Sequence, residues 1–154
     1  MLSTSGESQA PSPGRFIVFN VEEKLLIQEL LARSAYGYDE RDLELLASCF
    51  SEDAEMTMCI SGGDVVGPFK GRDQLRKMFE NAMNGQQDIR RHVISNIFFG
   101  ELEGAPVVYS NLTLLATENG DTSLISSGIY TDHVELSQSG WVIKNRHLDL
   151  VSSY

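Results

Sequence analysis

Residues 89–118, IRRHVISNIFFGELEGAPVVYSNLTLLATE, decide how the chain folds. Here apolar and polar side chains follow a period of two, the repeat of a half-buried strand, in two long runs, Ile89 to Leu102 and Val107 to Glu118. Two more runs, Thr122 to Leu136 and Trp141 to Val151, continue the pattern, with Asn119-Gly120 and Ser139-Gly140 as hairpin turns. Gly128, midway along the third run, marks a bend or bulge.

Upstream of residue 88 the repeat is different. Asn20 followed by Glu23 has capping-box spacing, and Leu26, Ile27, Leu30 and Leu31 recur as on one helix face, predicting a helix that loosens near Gly37. Asp42 caps a second helix carrying Leu43, Leu46 and Phe50. Ala54 to Ile60 reads as a strand, Val65 to Phe69 as its edge return around Pro68, and Arg72 to Met83 as a third helix ending at Asn84-Gly85. Helices first and a meander of long strands afterwards predict an α+β domain: a cone-shaped barrel of strongly curved mixed or antiparallel sheet wrapped over three N-terminal helices, with a pocket inside.

Composition narrows the function. The 154 residues carry 12 Lys and Arg against 22 Asp and Glu, a formal net charge of −10, with 42% hydrophobic residues. Most of the acidic excess falls in residues 16–60, and no cationic stripe for phosphates is visible, which excludes nucleic acid and anionic membrane surfaces as expected partners. No stretch reaches the roughly 18 consecutive apolar residues of a membrane span. Residues 1–15, rich in Ser, Pro and Gly, lack the features of a signal peptide and read as a mobile tail before a single domain at 16–154, in a cytoplasmic protein. Cys49 and Cys59 have no His at ligand spacing and suggest neither zinc nor a disulfide. With no glycine-rich phosphate loop, no nucleophile elbow and no metal-spaced His, Asp or Glu group, the expectation is chemistry without cofactor or metal on a small hydrophobic ligand.

The segments Leu30 to Phe50 (LLARSAYGYDERDLELLASCF), Asp53-Ala54, Gly71-Arg72-Asp73, Arg91-His92-Val93, Gly128 to Asp132 and Gly140-Trp141 resemble the SnoaL-like branch of the nuclear-transport-factor-2-like superfamily. The resemblance covers about residues 20 to 152. It implies the α+β cone, a homodimer, and one of several activities hosted there: polyketide cyclases, scytalone and bile-acid dehydratases, a lindane dehydrochlorinase, steroid isomerases, or the silent β subunits of ring-hydroxylating dioxygenases. Fold alone does not choose among them.

Within that resemblance Tyr36, Tyr38, Asp39 and His92 are the catalytic candidates, since dehydratases of this family pair one Asp with one His and place a Tyr beside the Asp. A neutral imidazole accepts a proton from a carbon acidified by a carbonyl, a carboxylate fixes its tautomer, and a phenol donates to the developing enolate. The same residues also admit a plainer reading: Asp39 in YDERD can end a helix on backbone amides, and a His at a strand start can be merely hydrogen-bonded. Strand alternation places Asn96 and Phe98 on the side of His92. With Tyr109, Ser126 and Tyr130 from the later strands, these are the expected substrate-binding residues, although each row can instead pack or face solvent. His133 and His147 read as surface or structural. The expected activity is a cofactor-independent lyase or isomerase, of dehydratase or cyclase type, acting on a hydrophobic carbonyl compound that could be polycyclic. The alternative is a non-catalytic binding or oligomer-assembly domain. Outward rows assigned to Val108, Leu112, Leu114, Ile125, Ile129, Val142, Leu148 and Leu150 predict a dimer formed sheet to sheet.

Overall fold

The computed structural model describes residues 19–154, so the tail expected at 1–15 and the segment 16–18 lie outside the described residues. Helix α1 spans Val21–Asp39 and opens with the capping box: Asn20 Oδ1 accepts from Glu23 N–H at 2.8 Å while Glu23 Oε2 accepts from Asn20 N–H at 2.9 Å. The other elements are α2 (Leu43–Ser48), β1 (Phe50–Ile60), β2 (Val65–Lys70), α3 (Arg72–Asn84), β3 (Ile89–Leu102), β4 (Ala105–Glu118), β5 (Asp121–Ser137) and β6 (Gly140–Leu150). One six-stranded sheet runs β2-β1-β6-β5-β4-β3, with β1 and β6 parallel and all other neighbours antiparallel. The sheet is mixed, open at its edges, and curved over the helices. No helix among the described residues is long and apolar enough to cross a membrane.

Two boundaries differ from the sequence reading. Gly37 does not loosen α1; a Cβ there would sit 2.9 Å from Leu46 N, so glycine is what lets α2 pack directly on an unbroken α1. Phe50 belongs to β1 and not to α2. Its side chain is fully buried, and the preceding Cys49 C=O accepts from Ile143 N–H at 2.8 Å, which draws the chain into the sheet four residues earlier than expected.

The larger correction concerns the two faces of the sheet. Val108, Leu112, Leu114, Val142, Leu148 and Leu150, expected outside, are buried in the core with Ile27, Leu31, Phe50 and Leu75. Among the rows assigned outward, Ile129 does stand exposed. Because the buried rows are covered by the subunit's own helices, they give no reason for a second copy. Strand alternation fails across bulges, where a shift of one residue exchanges the faces. The pairing of β3 with β4 shifts between Ser95 and Phe98, with Asn96 in the left-handed region at φ 51°. His92 and Ile94 therefore face inward, Ile97 and Phe99 pack against the core, and Phe98 points out.

Gly128 is an inward position for a different reason. A Cβ there would lie 2.3 Å from Asp149 C=O on the paired strand, so β5 and β6 approach more closely than any side chain permits. Gly128→Ala is expected to destabilise the domain by about 3 kcal/mol, the upper range of overpacking. That corresponds to a melting temperature lower by about 6–12 °C for a chain of this size. Thermal unfolding measures it, and a loss below about 2 °C would contradict the close approach.

Candidate functional site

A cavity of about 110 Å³ lies between the helices and the inner face of the sheet. Its walls are largely apolar, from Ala35, Leu46, Met56, Met58, Met78, Phe79, Ile94 and Leu148. Into this lining project the polar groups of Tyr38, His92, Tyr130, Arg146 and Tyr154. A few convergent polar groups in an apolar hollow are the ordinary make-up of a small-molecule site.

His92 and Asp39 form the tightest contact. The Nδ1 of His92 lies 2.6 Å from Asp39 Oδ1, and the His92 backbone N–H donates to Oδ2 at 2.9 Å, with both side chains only 8% exposed. Asp39 is the last residue of α1, and His92 sits early in β3, so the pair joins the end of a helix to the sheet edge. With Nδ1 committed to the carboxylate, Nε2 has no protein partner among the described residues. The Tyr38 ring lies 4.7 Å from the imidazole, centre to centre, and its hydroxyl meets the Gln86 amide, with Nε2 at 2.9 Å and Oε1 at 3.1 Å. Burial pushes the Tyr38 phenol above its ordinary range, and the Gln86 bond only partly offsets this.

Arg146 and Asp132 form a second pair that the sequence reading missed. Nε and Nη2 of Arg146 donate to the two Asp132 oxygens at 2.8 and 2.9 Å, and the guanidinium stacks 4.1 Å from the Tyr130 ring centre. Burial works against the arginine's charge, but the adjacent carboxylate outweighs it and raises the pKa. Nη1 has no partner among the described residues. A signal existed: in their strands Asp132 alternates with Tyr130 and Val134, and Arg146 with Leu148 and Leu150, so each is a charge set in an inward, mostly apolar row.

The remaining sequence candidates fall elsewhere. Tyr36 is 61% exposed, on a different face of α1 from Tyr38. Asn96 occupies the bulge and is exposed; Phe98 stacks on Tyr109 at 4.9 Å on the outer face. Ser126 is buried but spends its hydroxyl on Ser152 C=O at 2.7 Å. Of the five expected substrate-binding residues, then, Tyr130 reaches the cavity and the others do not, because the bulge at Asn96 and the pairing of β4 with β5 turn them away or tie them up. His147 meets Thr57 Oγ1 at 2.6 Å outside the cavity. Among the described residues no three His, Cys, Asp or Glu side chains converge as metal ligands do.

Residues 20–147 match the family model of the SnoaL-like domain. No curated protein matches. Solved structures share the fold at low identity. An NTF2-like protein with a cystatin-like fold from Novosphingobium aromaticivorans is 18% identical, over 86% of this chain and 84% of that one, with a TM-score of 0.68. A protein from the same organism, described as the β subunit of an aromatic-ring-hydroxylating dioxygenase, is 20% identical over 84% and 90%, with a TM-score of 0.70. ActVI-ORFA from Streptomyces coelicolor is 16% identical over 82% and 96%, with a TM-score of 0.69.

The buried phenols set an alkaline limit. Tyr38 and Tyr130 both have pKa values raised above the ordinary 10.0, mainly through burial. The unfolded chain therefore ionises them first. Their contribution is intact below about pH 10 and is lost as pH rises further, with Tyr130 alone accounting for up to about 1.4 kcal/mol per pH unit. Melting temperatures between pH 9 and 11 should fall more shallowly in Tyr130→Phe than in the native chain. Parallel curves would refute the assignment.

Proposed function

The chain belongs to the SnoaL-like domain family, and from that membership and the His92–Asp39 pair at the cavity wall we propose that it is a cofactor-independent lyase or isomerase acting on a small carbonyl compound. The observation that carries this is the 2.6 Å contact between His92 Nδ1 and Asp39, beside a cavity, with Nε2 left unpartnered. Asp39 holds the proton on Nδ1, so Nε2 carries the lone pair. It takes a proton from the carbon next to the carbonyl, the C–H electrons form the enolate, and Asp39 stabilises the imidazolium. If Gln86 Nε2 donates to the Tyr38 oxygen, the phenolic hydrogen is free for the carbonyl oxygen. Arg146 Nη1 adds a fixed positive charge where the enolate forms. The imidazolium then returns its proton, to a leaving hydroxyl in a dehydration or to another carbon in an isomerisation.

Size is the main revision. At about 110 Å³ the cavity is smaller than the roughly 150 Å³ hole that accommodates benzene in an engineered protein, so a polycyclic compound does not fit it as it stands. The alternative of a non-catalytic assembly domain draws on the likeness to the dioxygenase β subunit, whereas the His92–Asp39 pair on the cavity wall supports the catalytic reading. Self-association as a homodimer would use the outer sheet face, where Val93, Phe98 and Ile129 stand exposed. Sedimentation equilibrium at micromolar concentration should give twice the 17.1 kDa chain mass, and a monomer would remove the dimer.

Solvent-deuterium exchange into small cyclic ketones and enones, followed by NMR, tests the chemistry whatever the eventual product. The native chain should catalyse exchange next to the carbonyl, and His92→Ala should slow it by about 100- to 10,000-fold. Asp39→Asn should slow it as well while the far-ultraviolet spectrum stays native. Exchange at the native rate in both variants would eliminate this mechanism.

A further inference from the structure

After β6 the chain is fastened for two residues and then released. Val151 N–H donates to Ser127 C=O at 3.0 Å, Ser61 Oγ donates to Val151 C=O at 3.1 Å, and Ser126 Oγ donates to Ser152 C=O at 2.7 Å. Ser153 and Tyr154 make no hydrogen bond among the described residues. The Tyr154 side chain nevertheless turns back and forms part of the cavity wall, with the Arg90 guanidinium 4.8 Å from its ring centre. Half of the residue is open to solvent, at 52%, while its ring shares the cavity wall with Tyr38 and Tyr130. Arg90 is paired with Asp88 through Nε at 3.0 Å, but its Nη1 is buried without a partner.

A phenol ring thus sits at the cavity wall with a cation on its face, beside two other tyrosines and without a hydrogen bond of its own among the described residues. Resting on the catalytic reading of the same cavity, we propose that Tyr154 is a displaceable stand-in for the ligand, occupying the place of a planar hydroxy- or oxo-substituted single ring such as a phenol or a cyclic enone. Withdrawal of Tyr154 about residues 153 and 154 enlarges the cavity and uncovers Arg90. An incoming aromatic ring regains the cation–π contact, and its oxygen meets the Tyr38 side of the cavity. A bare hydrocarbon ring of the same size brings no oxygen to the polar groups there, so the site discriminates by the oxygen and not by area alone. Tyr154 then sets both the size limit and an affinity penalty, since a site that is closed most of the time binds more weakly by the fraction that is open.

The test uses p-cresol, which is the tyrosine side chain itself, and toluene, which lacks the hydroxyl. Each is titrated into the native chain and into Tyr154→Ala, with amide chemical shifts as the readout. Tyr154→Ala should bind p-cresol at least about 10-fold tighter than the native chain, as removal of a plug closed at least 90% of the time requires. Toluene should gain by a similar factor, because the plug taxes every ligand that needs the open site, yet it should bind Tyr154→Ala at least about 3-fold more weakly than p-cresol, the difference being the oxygen's share. Tyr154→Phe keeps the ring but loses the oxygen, so its p-cresol affinity should lie between those of the native chain and Tyr154→Ala, whereas adding Arg90→Met to Tyr154→Ala should take back most of the gain. Equal p-cresol affinity in the native chain and Tyr154→Ala, or equal affinities of toluene and p-cresol for Tyr154→Ala, overturns the proposal. The titration reads binding alone, so a failure of the His92 proton chemistry would leave its outcome unchanged.

Discussion

One carboxylate ties the helical half of the molecule to the sheet. Asp39, the last residue of α1, accepts from both the backbone N–H and the Nδ1 side of His92, on β3 at the edge of the sheet. An edge strand presents unpaired backbone donors, and a nearly buried carboxylate needs donors, so each need is met by the other. The same contact sets the width of the cavity between α1 and β3 and turns the free imidazole nitrogen away from Asp39. Tyr38, one residue earlier on the helix, is thereby brought against the imidazole ring. Fold closure and the arrangement of the candidate base thus draw on the same interaction.

The second buried pair answers a different constraint. Arg146 and Asp132 are almost inaccessible, and a buried ion pair offsets its desolvation only when its geometry is good and its remaining hydrogens are satisfied. The two-point contact meets the first condition. Nη1 makes no hydrogen bond to the protein among the described residues, and replacing such a pair by apolar residues of similar volume is often neutral for stability. A guanidinium retained at a cavity wall, its position fixed by Asp132 and the Tyr130 ring, is better accounted for by charge it has yet to meet than by stability. The net charge of −10 belongs mainly to the outer surface and says little about this interior, where the formal charges of Arg146 and Asp132 cancel.

Much of this was legible in the residues themselves. Asn20 and Glu23 sit at capping-box spacing, and the four late strands follow their alternation, because both signals are local. Asp39, His92 and Tyr38 could be picked out as residue types suited to proton transfer and by their resemblance to a family. What failed was parity over distance. Asn96 adopts a left-handed conformation that asparagine tolerates without a glycine's signature, and that single residue sends Phe98 outward and breaks the expected row. Arg146 and Asp132 meet only through the register of β5 on β6, and Tyr154 reaches the cavity from beyond the last strand, where no periodicity exists to read.

The fold neighbours at 16–20% identity include both ActVI-ORFA and a dioxygenase β subunit, so the scaffold by itself is silent about chemistry. The difference must lie in what the interior leaves unfinished. Here His92 and Arg146 line the cavity with Nε2 and Nη1 making no hydrogen bond to the protein among the described residues, and Arg90, against the tyrosine on the cavity wall, has its Nη1 buried without a partner, a state that costs about 1–3 kcal/mol. Polar groups left open around one hollow are what a ligand can meet, and this is the physical reason to read the cavity as a site.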